Sequence, residues 1–136
     1  MGSEMCIRDS GRCVVFRYIQ IEGLVKYLSL EGFHVKDVGL LASALDRPAA
    51  SIFGADVYAT LALKAAAQTQ SIIKNHPMVD GNKRSAWFAL NTFLVMNGFV
   101  LRASQGDAFD FLMAVATDLV SLEDMAVWIE SRSIKI

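Results

Sequence analysis

The chain has 136 residues, 54% hydrophobic and 20% charged, with thirteen basic against fourteen acidic side chains and a formal charge of -1. That length suits one domain with a single core, and the composition excludes a disordered chain. The near-zero charge excludes a global field that would draw the protein to nucleic acid or an anionic membrane, so any anion site must be local.

Residues 1–16 are expected to be disordered or artefactual, and the domain to span 17–136. Within that segment MCIRDS, residues 5–10, resembles a translated sequencing-adapter fragment, and no long apolar core follows Arg8 and Arg12 as a signal peptide would require. Cys6 and Cys13 have no metal-knuckle or disulfide-framework spacing, which points to a reducing cytoplasm. From Arg17 to Ser29 the apolar positions Ile21, Leu24, Val25 and Leu28 recur at helical spacing, and Gly32 is the expected stop. Asp37 is the expected cap of a second helix in which Val38, Leu41, Ala42 and Leu45 share a face. Asp46-Arg47-Pro48 ends it, because the residue before a proline avoids the helical region. Residues 49–55, with Gly54 and no periodicity, read as an exposed loop.

A third helix is expected from Asp56 to Lys74 on the stripe Val57, Leu61, Ala65, Thr69 and Ile72, stopped by Pro77. Asn82 to Met96 is apolar nearly all round and predicts a helix buried on most sides, capped by Gly98. Ser104 with Asp107, and Ser121 with Asp124, match capping-box spacing and open two more helices, the last ending near Glu130. Strand alternation and repeats are absent. The fold class is therefore all-α, a single-domain bundle of six helices with a central buried hairpin of helices three and four. The longest apolar stretches, 86–101 and 108–120, are interrupted by Asn91, Asn97, Gly98, Asp110 and Asp118, short of the ~18 residues of a membrane span. A buried helix or a subunit interface, and with it a homo-oligomer, would absorb the apolar excess.

The junction between helices three and four reads NHPMVDGNKR, residues 75–84. Pro77 is expected to hold His76 extended, and Asp80-Gly81 to turn the chain into a helix starting at Asn82. Lys83 and Arg84 then fall in the first turn, where the macrodipole disfavours each cation by roughly 0.3 to 1 kcal/mol unless an anion lies among them. Free N–H groups, Gly81 and the two cations form a phosphate cradle. Asn82 adds an amide donor, Asp80 is suited to a divalent metal, and His76 is the side chain suited to accept a proton. Each residue has a plainer reading. Asp80 or Asn82 caps the helix, Lys83 and Arg84 are solvated charges, and His76 is a surface or capping histidine. Together, they serve no packing purpose. His34 reads as loop surface, and Trp87 and Trp128 as core or interface.

HPMVDGNKR resembles the signature of the Fic and Doc family, His-x-Phe-x-Asp/Glu-Gly/Ala-Asn-Gly/Lys-Arg, and the Lys after the Asn resembles the Doc branch. VKDVGLLASALDRP (35–48), FGADVYATLALKAAA (53–67) and LVMNGFVL (94–101) are also similar to Doc segments, so the likeness runs from Tyr18 to Trp128. The resemblance implies a Fic/Doc-like helical bundle that uses ATP and Mg²⁺. His76 would be the general base, and Asp80 would orient the hydroxyl and support the metal. Gly81, Asn82, Lys83 and Arg84 would bind the nucleotide phosphates. It further implies a toxin of a toxin–antitoxin pair that moves the terminal phosphate of ATP to a hydroxyl of a translation factor similar to elongation factor Tu. A cognate antitoxin would be its partner, docking in an apolar groove. The segment Arg47 to Gly54 corresponds to the family's flap, which lays out the target polypeptide. Two alternatives stay open: AMP transfer of the Fic type, and a non-catalytic binding or regulatory module. Met78 stands where the family has Phe, and Phe88 where some Doc proteins carry a polar group. Trp87 stands where adenylylating Fic proteins carry a second arginine, which argues against AMP transfer.

Overall fold

The structure is a computed structural model that describes the backbone of residues 2–7 and 12–136, and side chains from Val15 onward. The expectation of a disordered or artefactual segment over 1–16 falls partly outside the described residues. Among those described, β1 (Gly2–Ile7) pairs antiparallel with β2 (Arg12–Arg17), and Phe16 is buried in the core.

Six helices follow: α1 (Ile21–Leu30), α2 (Val38–Asp46), α3 (Leu61–Asn75), α4 (Asn82–Met96), α5 (Gln105–Ala116) and α6 (Leu122–Arg132). The all-α reading holds. The strands β3 (Ser51–Ile52), β4 (Ala55–Asp56), β5 (Phe99–Leu101) and β6 (Ser133–Lys135) pair as β3–β4 and β5–β6. At two or three residues each, they are too short to display the period-two pattern that identifies a strand.

Caps fall where short polar side chains were expected. The Asp37 carboxylate accepts from Leu40 N at 3.0 Å. Ser104 Oγ accepts from Asp107 N, and Ser121 Oγ from Asp124 N, both at 3.1 Å. Gly98 closes α4 with φ +87°. Two starts differ from expectation for local reasons. Helix α1 begins at Ile21 and not Arg17, because Arg17 is held in β2 and its N–H and C=O are both bonded to the Asn97 carboxamide at 2.9 Å. Helix α3 begins at Leu61 and not Asp56. Asp56 pairs with Ser51 in the β3–β4 hairpin, and Thr60 Oγ1 takes the cap by accepting from Leu63 N at 3.1 Å.

Helix α3 is the axis of the bundle, packed against α2, α4 and α6. It buries nine residues, among them Lys64, Gln68 and Thr69, whereas α4 buries six. The sequence predicts α4 as the more enclosed member of the hairpin. In the structure α3 is the more enclosed, because Trp87, Phe88 and Asn91 are only partly buried and line an open cleft, Trp87 and Phe88 while also packing on the core.

Candidate active site

The site begins where α3 ends. His76 follows Asn75 with φ +49° and ψ +55°, a left-handed helix-closing conformation and not the extended one expected from Pro77. The helix end decides the backbone here, at the cost of about 1 to 3 kcal/mol that such a conformation carries for a residue with a Cβ. The loop after it is tied to the strand-like segment behind α1. Lys36 N and Asp37 N both donate to Pro77 O, at 2.8 and 3.0 Å, and Val79 N donates to His34 O at 3.0 Å. Val35 and Met78 form an antiparallel bridge. Met78, in the place of the family's Phe, is buried at 1% exposure and anchors the loop in the core. His34, read as plain surface, contributes its carbonyl to this brace.

Asn82 closes the loop from inside. Its Oδ1 accepts from Met78 N at 2.9 Å and its Nδ2 donates to Met78 O at 3.4 Å. The carboxamide is thus committed first to loop geometry, and its nitrogen keeps one hydrogen for another acceptor. Gly81 sits at φ +77° with Phe33 against it: a Cβ there would stand 2.5 Å from Phe33 Cε1. Only glycine fits both the backbone and the aromatic ring. Asp80 does not cap α4. Its Oδ1 accepts from Gly81 N at 2.8 Å, and no side chain caps the first turn of the helix. Lys83 and Arg84 are exposed and, among the described residues, make no hydrogen bond or ion pair with protein.

One cleft of about 1030 Å³ collects all six residues singled out from the sequence: His76, Asp80, Gly81, Asn82, Lys83 and Arg84. Its volume is at the upper end of small-molecule sites. Trp87, Phe88 and Asn91 extend it along α4, and Gln105, Phe109 and Leu112 of α5 also line it. Phe88 stacks on Tyr27 with ring centroids 4.2 Å apart. The Tyr27 hydroxyl donates to Glu31 at 2.9 Å, and that hydrogen bond to a carboxylate raises the phenol above its ordinary pKa. Trp87 meets Trp128 edge-on at 6.3 Å, so it is both packing and cleft wall.

The segment Arg47 to Gly54, expected to be the flap, belongs to a hairpin that runs on to Asp56 and is not a plain loop; the flap below means this hairpin with its roots, residues 47–58. Phe53 (φ +52°) and Gly54 (φ +79°) form its two-residue turn, the positive-φ pair a type I′ connection requires. Sequence reasoning missed what holds it. The Arg47 guanidinium donates to Tyr58 Oη, Ala67 O, Gln70 Oε1 and Ser71 Oγ at 2.8 to 3.1 Å. Lys64, fully buried, bonds Asp56 and Pro48 O at 2.9 Å each. The available signal was a lysine between Leu61 and Ala65, beside the apolar stripe of α3. Nothing local marks Phe33 or Arg47.

A cradle with two exposed cations and a single carboxylate, Asp80, carries a local positive excess suited to an anionic ligand. Asp80 keeps one carboxylate oxygen without a protein partner among the described residues, which suits a cation held jointly with that ligand. No group of three or more His, Cys, Asp or Glu side chains is placed to hold a metal ion among the described residues, nor is any helix there long and apolar enough to cross a membrane.

Comparisons with known proteins identify the family. A family model described as Fic/DOC matches residues 15–94. A protein named Toxin Doc from Mycolicibacterium smegmatis is 47% identical over 94 residues, covering 68% of this chain and 72% of that relative. The family match includes α3, α4 as far as Leu94, the hairpin over 47–58 and the whole NHPMVDGNKR junction. The chain belongs to the Fic/DOC family, on its Doc branch.

Proposed function

We propose that this protein is the toxin of a bacterial toxin–antitoxin pair and acts as a cytoplasmic phosphotransferase, moving the terminal phosphate of ATP to a hydroxyl of a protein target. The observation that carries the reading is the pair Lys83 and Arg84, exposed and unpaired among the described residues at an uncapped helix N-terminus, in the same cleft as His76. The similarity to a protein named Toxin Doc supports the toxin role, and with it a cognate antitoxin. The target class, a translation factor similar to elongation factor Tu, follows from the family resemblance.

In this reading His76 takes the proton of the target hydroxyl as its oxygen attacks the terminal phosphorus, and the bond from that phosphorus to the bridging oxygen of ADP breaks. Lys83, Arg84 and the first N–H groups of α4 neutralise charge on the phosphate oxygens. Asp80 orients the hydroxyl and is the residue that would hold Mg²⁺ together with phosphate oxygens. The metal, when bound, supplies further neutralisation of the transferred group. Gly81 keeps the cradle open, and Asn82 fixes the loop while offering one remaining N–H. Trp87 gives the cleft an apolar wall where AMP-transferring relatives carry a cation, which favours phosphate transfer. Incubation with a cell extract and ATP labelled at the γ or, separately, the α phosphate tests this. Label incorporated from γ alone is the expected result, whereas label from α would establish AMP transfer.

A further inference from the structure

Lys64 is the most deeply buried charge described, at 0% exposure, and lies outside the cleft. Its ammonium spans the two roots of the flap: it bonds Pro48 O on the entering side and Asp56 Oδ2 on the leaving side, both at 2.9 Å. The rings of Phe16 and Tyr18 lie 4.8 and 5.7 Å from it, so it is enclosed by aromatic faces as well as by oxygen. Removing an ammonium from water is expensive, and a buried ion pair is seldom more stable than apolar residues of the same volume. What such a pair can supply is a fixed geometry between the segments it joins.

The flap needs such a device. Each of its strands is two residues long, below what holds a hairpin together in water. Only Val57 N to Ala50 O, at 2.9 Å, extends the ladder beyond them. Its turn places Phe53, a bulky residue, at positive φ with the side chain fully exposed, a strained conformation that persists only when its surroundings enforce it. Lys64 stands on α3, the helix whose last residue adjoins His76. An unbroken run of helix from Lys64 to Asn75, ~16 Å long, therefore connects the flap's anchor to the residue before His76.

We infer that Lys64 is a positioning residue for the protein substrate: with Asp56 and Pro48 O it closes the flap on a single ammonium and sets its place relative to His76. The inference rests on the proposed transfer to a protein hydroxyl, and the role is presentation of the target, not contact with nucleotide. Arg47, bonded to α3 near Ser71, is the second anchor.

Lys64→Met retains length and an apolar stem, so the fold should survive. Asp56→Asn is the second variant, leaving Lys64 in place but uncharging its partner. Amide hydrogen exchange over 50–57 is expected to rise at least tenfold in both variants, with α4 unchanged. Transfer to the protein target should show a KM at least tenfold higher, while KM for ATP stays within twofold. Unchanged exchange in the flap of both variants would overturn the inference, as would an equal rise in flap and α4, or a raised KM for ATP with that for the target unchanged. If the wild-type chain transferred no label to any protein, the proposed function would fail. The exchange measurement would still decide whether Lys64 holds the flap.

Discussion

Two pairs of cations, one at the flap and one at the cleft, carry the same charge and meet opposite surroundings. Arg47 and Lys64, at the flap, are respectively half-buried and buried, and both donate to several protein acceptors. Lys83 and Arg84, at the mouth of α4, face solvent beside a dipole of their own sign and have no protein acceptor among the described residues. The first pair spends its hydrogen bonds on holding one segment against another. The second, under the proposed function, meets the phosphates of ATP. Satisfied cations build the frame of a site, and unsatisfied ones mark where a ligand belongs.

Substitutions can break that contrast, in order of expected effect. His76→Ala, which leaves all four cations in place, should lower the transfer rate by about 10² to 10⁴, the usual share of a general base. Initial rates of label incorporation read this directly. Growth arrest that survived the substitution would favour the non-catalytic module. Lys64→Ala leaves the Asp56 carboxylate without its cation. Because Asp56 keeps 15% side-chain exposure, the stability loss should lie near the lower end for a broken buried pair, about 3 kcal/mol in denaturant unfolding.

The cleft cations should behave with the opposite sign. Arg84→Ala and Lys83→Ala are each expected to weaken nucleotide binding by about 1.5 to 3 kcal/mol, through lost charge-assisted hydrogen bonds. The same changes should raise stability by about 0.3 to 1 kcal/mol, because they remove a cation from the positive end of a helix. Calorimetric titration and thermal unfolding on the same samples separate the two. A fall in both would place these side chains in the frame after all. Gly81→Ala sharpens the contrast at the loop itself. The new methyl would meet Phe33 at a φ of +77°, so stability should fall by about 1 to 3 kcal/mol, with slower transfer as the loop shifts. Pairing it with Phe33→Ala should recover part of the loss, since the clash is removed and only the backbone strain remains.

The junction was legible because its chemistry is concentrated in ten consecutive residues. His76, Asp80, Gly81, Asn82, Lys83 and Arg84 are near in sequence, so a helix start was enough to bring them to one cleft. Helix α4 begins at Asn82 and ends at Met96 as its apolar pattern and Gly98 predict. Asp37, Ser104 and Ser121 cap as short oxygen-bearing side chains do. The helical twist of His76 was not legible, since two local rules compete there and helix closure overrides the preference set by Pro77. Asn82 reads as a ligand donor or a cap, and becomes a loop brace because Met78, buried below, brings its backbone within 2.9 Å.

The sequence by itself determined that six helices form, the caps at Asp37, Ser104 and Ser121, and the six junction residues of the cleft, because hydrophobic period, capping and loop-to-helix turns act over distances of a few residues. Tertiary structure alone decided that α3 is the enclosed helix and α4 the cleft wall, that Phe33 closes on Gly81, and that Lys64 and Arg47 hold the flap. Those outcomes depend on which surfaces meet across separations of 8 to 48 residues in the chain. Burial and ion pairing there are properties of the assembled neighbours, not of the local string.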